Sequence, residues 1–229
     1  SAPTQIAVSN NYNYYSTFFN GSTVVGPTTH NVYAGSSEDF TFECWFYITG
    51  TLASNNMIMG WNISGFDYID ILSTGFQLNM NNTYTVTNNT QTWSIGTWYH
   101  IAFSRNSNTV RCYVNGTLTN TFNSVTQGIG SGSVAFQIGN WYTTPTYPFP
   151  GYISNLRWVK GTGLYTSTFT PPTSPLTAIA NTSLLTCQND RYIDNSSNNF
   201  AITPNGTGLT TSTLTPFLQP VYNYSFTQV

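Results

Sequence analysis

The chain has 229 residues, and only 5% of them are charged, against ~25% in an average soluble domain. Five basic and seven acidic side chains leave a net charge of −2, and aromatics reach 16%. With no basic patch to neutralise phosphate, this composition argues against nucleic-acid binding and against docking on anionic membranes, while no apolar run approaches the ~20 residues of a membrane span.

The first segment, SAPTQIAVSNNYNYY, has neither the basic start nor the apolar core of a signal peptide. The expectation is a removed signal or assembly in a cytosol. Strands are expected over 16–25 and then over FTFECWFYIT at 40–49. There Phe40, Phe42, Cys44, Phe46 and Ile48 share one face and Thr41, Glu43, Trp45 and Tyr47 the other. Bulk on both faces reads as an inner strand. MGWNISGFDY, 59–68, reads as an aromatic loop, followed by strands at 67–72, 75–80 and 83–87. WYHIAFSR begins a meander: a turn at Asn106–Asn108, a strand in TVRCYV, a type-I′ signal at Asn115-Gly116, and a third strand in TLTNTF. Further strands are expected at 133–139, 151–159, 183–187 and 198–203, with one short helical turn somewhere in 161–175. Turns recur every 8–12 residues or so, the rhythm of an all-β sandwich or barrel.

FTFECWFYIT, IGTWYHIAFSRNSNTVRCYVNGTL, FQIGN and FPGYISNLRWVKGTGLYTSTFTPP follow one another in an order that resembles the laminin-G-like branch of the concanavalin A-like lectin/glucanase superfamily. The closing LLTCQNDRYIDNSSNN is similar to the end of that domain in structural and tail-region proteins of bacteriophages, marine and cyanobacterial ones above all. The resemblance covers about residues 15–205. It implies an all-β jelly-roll sandwich of two antiparallel sheets, with Trp98, His100, Asn115, Gly116, Gly151 and Leu156 as mainly structural shared residues. From the residues themselves, Gly151 is expected to turn the chain tightly before a strand.

Glucanases of this superfamily place three carboxylates at i, i+2 and i+4 on one strand. Here DYIDIL offers Asp67 and Asp70, three apart and therefore on opposite faces, so a paired acid and nucleophile does not form and no enzyme is expected. His100, beside Trp98, reads as a structural histidine, and neither histidine belongs to a zinc-like cluster. Cys44, Cys112 and Cys187 read as buried thiols. No cofactor is expected. Calcium stays open as an alternative at Asp190 and Asp194, where an Asx-turn is the simpler reading.

Ligand or partner contact is expected from aromatic loops: Trp61 and Phe66, then Trp141, Tyr142, Tyr147 and Phe149, and in the tail Tyr222 and Tyr224. Such rings, set among Asn and Thr, serve a glycan pocket, packing beneath a loop, or a protein interface; composition leaves all three open. The expected organisation is one jelly-roll domain over 1–204, with 205–229 as a strand or arm reaching a neighbour. The expected role is that of a non-catalytic phage virion surface protein, either capsid decoration or tail-associated, assembled in the host cytoplasm. It would be homo-oligomeric and bound to other virion proteins. The alternative is an adhesin domain recognising host glycans.

Overall fold

In the computed structural model, residues 13–61, 66–80, 84–141 and 147–218 are described. They contain fifteen strands and no helix. In chain order these are β1 (Ser16–Phe19), β2 (Thr23–Val25), β3 (Phe40–Ile48), β4 (Asn56–Trp61) and β5 (Asp67–Leu72). β6 (Gly75–Met80), β7 (Tyr84–Asn88), β8 (Trp98–Asn106), β9 (Thr109–Val114) and β10 (Thr117–Phe122) follow. The last are β11 (Phe136–Ile138), β12 (Gly151–Lys160), β13 (Thr182–Thr186), β14 (Thr203–Asn205) and β15 (Thr210–Ser212).

The strands form two antiparallel sheets. The eight-stranded sheet runs β10-β9-β8-β3-β12-β1-β15, with β13 also on β12. The seven-stranded sheet runs β14-β2-β11-β4-β5-β6-β7. The core lies between them, as the alternation in β3 requires: Phe40, Phe42, Cys44, Phe46 and Ile48 are all buried. Opposite stand Ile69 and Ile71 of β5 and Phe76 and Leu78 of β6. Trp158 stacks on Phe40 at 5.2 Å and meets the edge of Trp61 at 5.4 Å. Each such large side chain contributes roughly 1.5–3 kcal/mol through burial.

The meander forms as the turns dictate. Ser107 and Asn108 take φ of 49° and 61°, and Asn115 and Gly116 take 48° and 75°, the paired positive angles of a type-I′ hairpin turn. Gly151 serves a purpose other than the expected turn. It lies within β12, where an added Cβ would come within 2.0 Å of the Tyr47 carbonyl oxygen.

Four expected elements differ. The stretch 16–25 is not one strand but two, β1 and β2, which lie in different sheets. MGW at 59–61 is not loop but the end of β4, all six residues of which are buried. Residues 161–175 hold no helical turn; they cross the outer face of the eight-stranded sheet as a strap. The Leu164 amide donates to Thr41 Oγ1 at 2.8 Å, the Tyr165 amide to Ser104 Oγ at 3.1 Å, and the Phe169 amide to the Gly116 carbonyl at 2.9 Å. Residues 198–202 are irregular, and the strand starts at Thr203.

The described part of the expected arm packs on its own chain. β15 pairs with β1, Ser16 Oγ donates to the Leu214 carbonyl at 2.6 Å, and Phe217 is buried against Tyr14 and Trp45. Tyr222 and Tyr224 lie outside the described residues.

Candidate functional site

The two outer faces of the sandwich are unlike. That of the eight-stranded sheet is crossed by the strap and by Phe217, and beside them carries a half-buried row of rings, Phe18, Tyr152, Tyr47 and Trp98, with neighbouring centroids 4.8–5.9 Å apart. On the seven-stranded sheet, register places Met57 opposite Asp70 and Gly60 opposite Tyr68; Asp70 and Tyr68 in turn face Gln77 and Asn79, which face Thr87 and Thr85. Ile69, Ile71, Leu78 and Val86, alternating with them, belong to the core. The outer row is therefore polar across three strands while the inner row is aliphatic.

These side chains are bonded to one another. Asn79 Nδ2 donates to Tyr68 Oη at 3.1 Å and to Thr85 Oγ1 at 3.5 Å, and Gln77 Nε2 donates to Asn55 Oδ1 at 3.4 Å. Asp70 lies on the floor, 3% exposed. Burial pushes its carboxyl up to about 7, against a lowering hydrogen bond from Gln77. Tyr68 is half-buried above it, its phenol raised by burial and then by the Asp70 charge.

Aromatic rings border this floor. Trp141 lies so close to Gly60 that a Cβ there would sit 2.7 Å from its Cζ3; only glycine lets the indole settle on the sheet. Phe66, 50% exposed, leans on Trp141 with ring centroids 5.7 Å apart. Its φ is 51°, in the left-handed region that a bulky side chain rarely enters. Tyr147, 36% exposed, is placed by two backbone hydrogen bonds: its carbonyl accepts from Met57 N, and its amide donates to Asn140 Oδ1, each at 3.0 Å.

Of the expected contact residues, the fold thus brings Phe66 and Tyr147 to one exposed face, whereas Trp141 is buried there, 3% exposed, as the backing of Phe66. Trp61 and Phe149 are corrections: both are 0% exposed, Trp61 donating its Nε1 to the Val32 carbonyl at 2.8 Å and Phe149 packing on Phe46. They fill the core and offer nothing to a ligand. Tyr142 lies outside the described residues.

A second cluster of titratable groups is buried under the strap. Glu43 Oε1 accepts from Arg157 Nε at 2.9 Å and Nη2 at 2.5 Å, and Oε2 from Tyr165 Oη at 2.9 Å, with His100 Nε2 at 3.1 Å. Burial alone would raise the Glu43 carboxyl; hydrogen bonds and charge from His100 and Arg157 outweigh it and hold the carboxyl below its ordinary range. Every carboxylate lone pair is occupied, and Glu43 and His100 are 0% exposed. The cluster pins the strap and presents no reactive atom to solvent.

The calcium candidates do not converge. Asp194 is buried and its carboxylate receives the amides of Leu185, Ser196 and Phe200 at 2.9–3.0 Å and the Ser196 hydroxyl at 2.8 Å. Asp190 is exposed beside Arg191 at 3.7 Å. No group of three or more His, Cys, Asp or Glu suited to a metal occurs among the described residues.

A family model described as concanavalin A-like lectin/glucanases superfamily matches residues 5–162. The chain belongs to that superfamily. A search of curated proteins finds no match. Among solved structures, a Bacteroides ovatus protein proposed to bind carbohydrate is 17% identical with a TM-score of 0.67, over 89% of this chain and 60% of that one. The chain thus spans less than two thirds of that relative. The heptameric SAP-like pentraxin of Limulus polyphemus is 12% identical with a TM-score of 0.53, over 87% and 97%. At these identities the likeness is one of fold. In this superfamily domain the i, i+2, i+4 row of carboxylates is missing from the sequence. Asp67 and Asp70 do face apart: Asp67 turns inward, its Oδ2 accepting from Gly130 N at 2.5 Å.

Tyr68, Gln77, Asn79, Thr85 and Thr87 were not singled out by sequence reasoning. The signal was present: YID, FQLNM and YTVT each set polar residues at alternate positions against aliphatic ones, so three successive strands share a polar face.

Proposed function

We propose that the chain is a non-catalytic carbohydrate-binding module whose ligand lies across the outer face of β4 to β7. The observation that carries this reading is the pairing of exposed, fixed rings with a polar ladder. Phe66 and Tyr147 offer flat apolar surface for the C–H face of a sugar, and Trp141 backs Phe66. Tyr68, Gln77 and Thr85 offer hydroxyls and an amide that fix the orientation of sugar hydroxyls. Apolar walls with a few placed polar groups are what small-ligand sites use. That the Bacteroides ovatus structure is proposed to bind carbohydrate agrees with this reading. The likeness of the closing segment to phage structural proteins remains the ground for setting the module on a virion surface, where such a face would meet host glycans.

The test is binding of the full chain to a panel of immobilised oligosaccharides, repeated with Phe66→Ala and Tyr147→Ala. The expected result is retention of at least one saccharide, weakened by roughly tenfold, about 1.4 kcal/mol, in each variant with an unchanged melting temperature. Retention that is indifferent to both substitutions would move the site off this face.

A further inference from the structure

The binding face carries no cation. The chain has five, Arg105, Arg111, Arg157, Lys160 and Arg191. The first four stand on β8, β9 and β12, all strands of the other sheet, and Arg191 follows β13. Three are already engaged. Arg105 donates to the carbonyls of Gly35, Glu38 and Gln127, Arg157 pairs with Glu43, and Lys160 pairs with Glu38 at 2.7 Å. Residues 62–65, 81–83 and 142–146, which lie outside the described residues, contain no charged residue in sequence. The one ionisable acid on its floor is Asp70.

Sulfate and carboxylate substituents are recognised by charge-assisted hydrogen bonds, above all from Arg and Lys. On this face an anionic sugar would lose hydration with no cation to compensate, and would do so beside a carboxyl group. A neutral sugar meets no such cost: its hydroxyls find amide and hydroxyl partners and its C–H face finds rings. Resting on the carbohydrate reading above, we infer that the module selects uncharged saccharides and discriminates against sulfated, uronic and sialylated ones.

The experiment measures affinity of the full chain for matched pairs: galactan against sulfated galactan, xylan against glucuronoxylan, and N-acetyllactosamine against its sialylated form. Thr85→Arg is measured beside the wild type. Thr85 is exposed on β7; Arg there removes one of the site's hydroxyls and supplies the missing cation, so the variant is read by a rise in affinity for the charged member itself, which loss of a hydroxyl would not produce. Preference for the neutral member of the bound pair by about tenfold or more in dilute buffer, narrowed several-fold in Thr85→Arg through tighter binding of the charged member, is expected. Equal or tighter binding of the charged member, still abolished by Phe66→Ala, would overturn the selectivity and leave the face as the site. An affinity for the charged member unmoved by Thr85→Arg would overturn its electrostatic basis. Binding of no saccharide at all would overturn the carbohydrate reading and this inference with it.

Discussion

Phe66 holds an exposed aromatic ring in a backbone conformation that suits Asn or Gly. Strain of that kind costs about 1–3 kcal/mol and collects at functional positions. Phe66→Asn is therefore expected to raise stability by up to about 1 kcal/mol in urea denaturation while weakening saccharide binding; a loss of stability would show that the ring is structural. Asp70 makes a second trade of the same sort. Its carboxyl rises from the ordinary 3.8 to about 7 because burial penalises the charge. The folded state then holds the proton more tightly than the unfolded one, so stability is greatest below about pH 4 for this group, falls as pH climbs toward 7, and stays lower above it. Across that window the change is at most about 4 kcal/mol. Asp70→Asn is expected to melt above the wild type at pH 8 and to lose that advantage near pH 4. Parallel melting curves at both pH values would mean that Asp70 ionises freely.

Among the elements, the strap at 161–175 was the least legible. Its run of Gly, Thr, Ser and Pro gives no period, and its position depends on side chains far off in the chain: Thr41, Ser104, Tyr113 and Glu43. The meander of β8, β9 and β10 was the most legible, because alternation and turn residues are local and agree with each other. β4 lay between these extremes. NMIMGW is buried on both faces and carries a bulge between Met57 and Met59, so no period-two pattern betrays it. The glycine that seats Trp141 reads in sequence as a loop residue. If Glu43 pins the strap, Glu43→Gln leaves the Arg157 guanidinium without its countercharge and costs about 3–5 kcal/mol at pH 7. Because the Glu43 carboxyl is held below its ordinary range, its contribution is complete above that range and is lost as pH falls through the lowered value. The gap between variant and wild type is expected to narrow in acid; a gap constant down to pH 2 would remove the carboxylate from the account.

For the whole molecule, the fold class was readable because strands, turns and composition point one way; the polar outer face was written only as alternation in separate strands, and becomes one surface once β4, β5, β6 and β7 are side by side. All three thiols are buried and unpaired, with Cys44 raised well above its ordinary range by burial. Alkylation of the native protein is expected to be slow at each and complete after denaturation; rapid labelling of Cys44 or Cys112 would contradict their place between the sheets. Deleting residues 216–229 removes Phe217 from Trp45 and Tyr14. A loss of roughly 1.5–3 kcal/mol is expected, where a free arm would cost nothing. The short stretch from β14 to β15 has a wider consequence. β14 completes the edge of one sheet on β2, and β15 completes the other on β1, so that Ser16 and Leu214, 198 positions apart, share a hydrogen bond. β14 and β15 then stand as the outermost strands of their sheets, and β1 and β2 lack these neighbours until residues 203–212 dock. Until residues 203–212 are available, β1 and β2 each present an unpaired strand edge. Such edges invite pairing with other chains, and closure over so long a separation is slow. Edge-to-edge association before residues 203–212 dock is the hazard written into this topology.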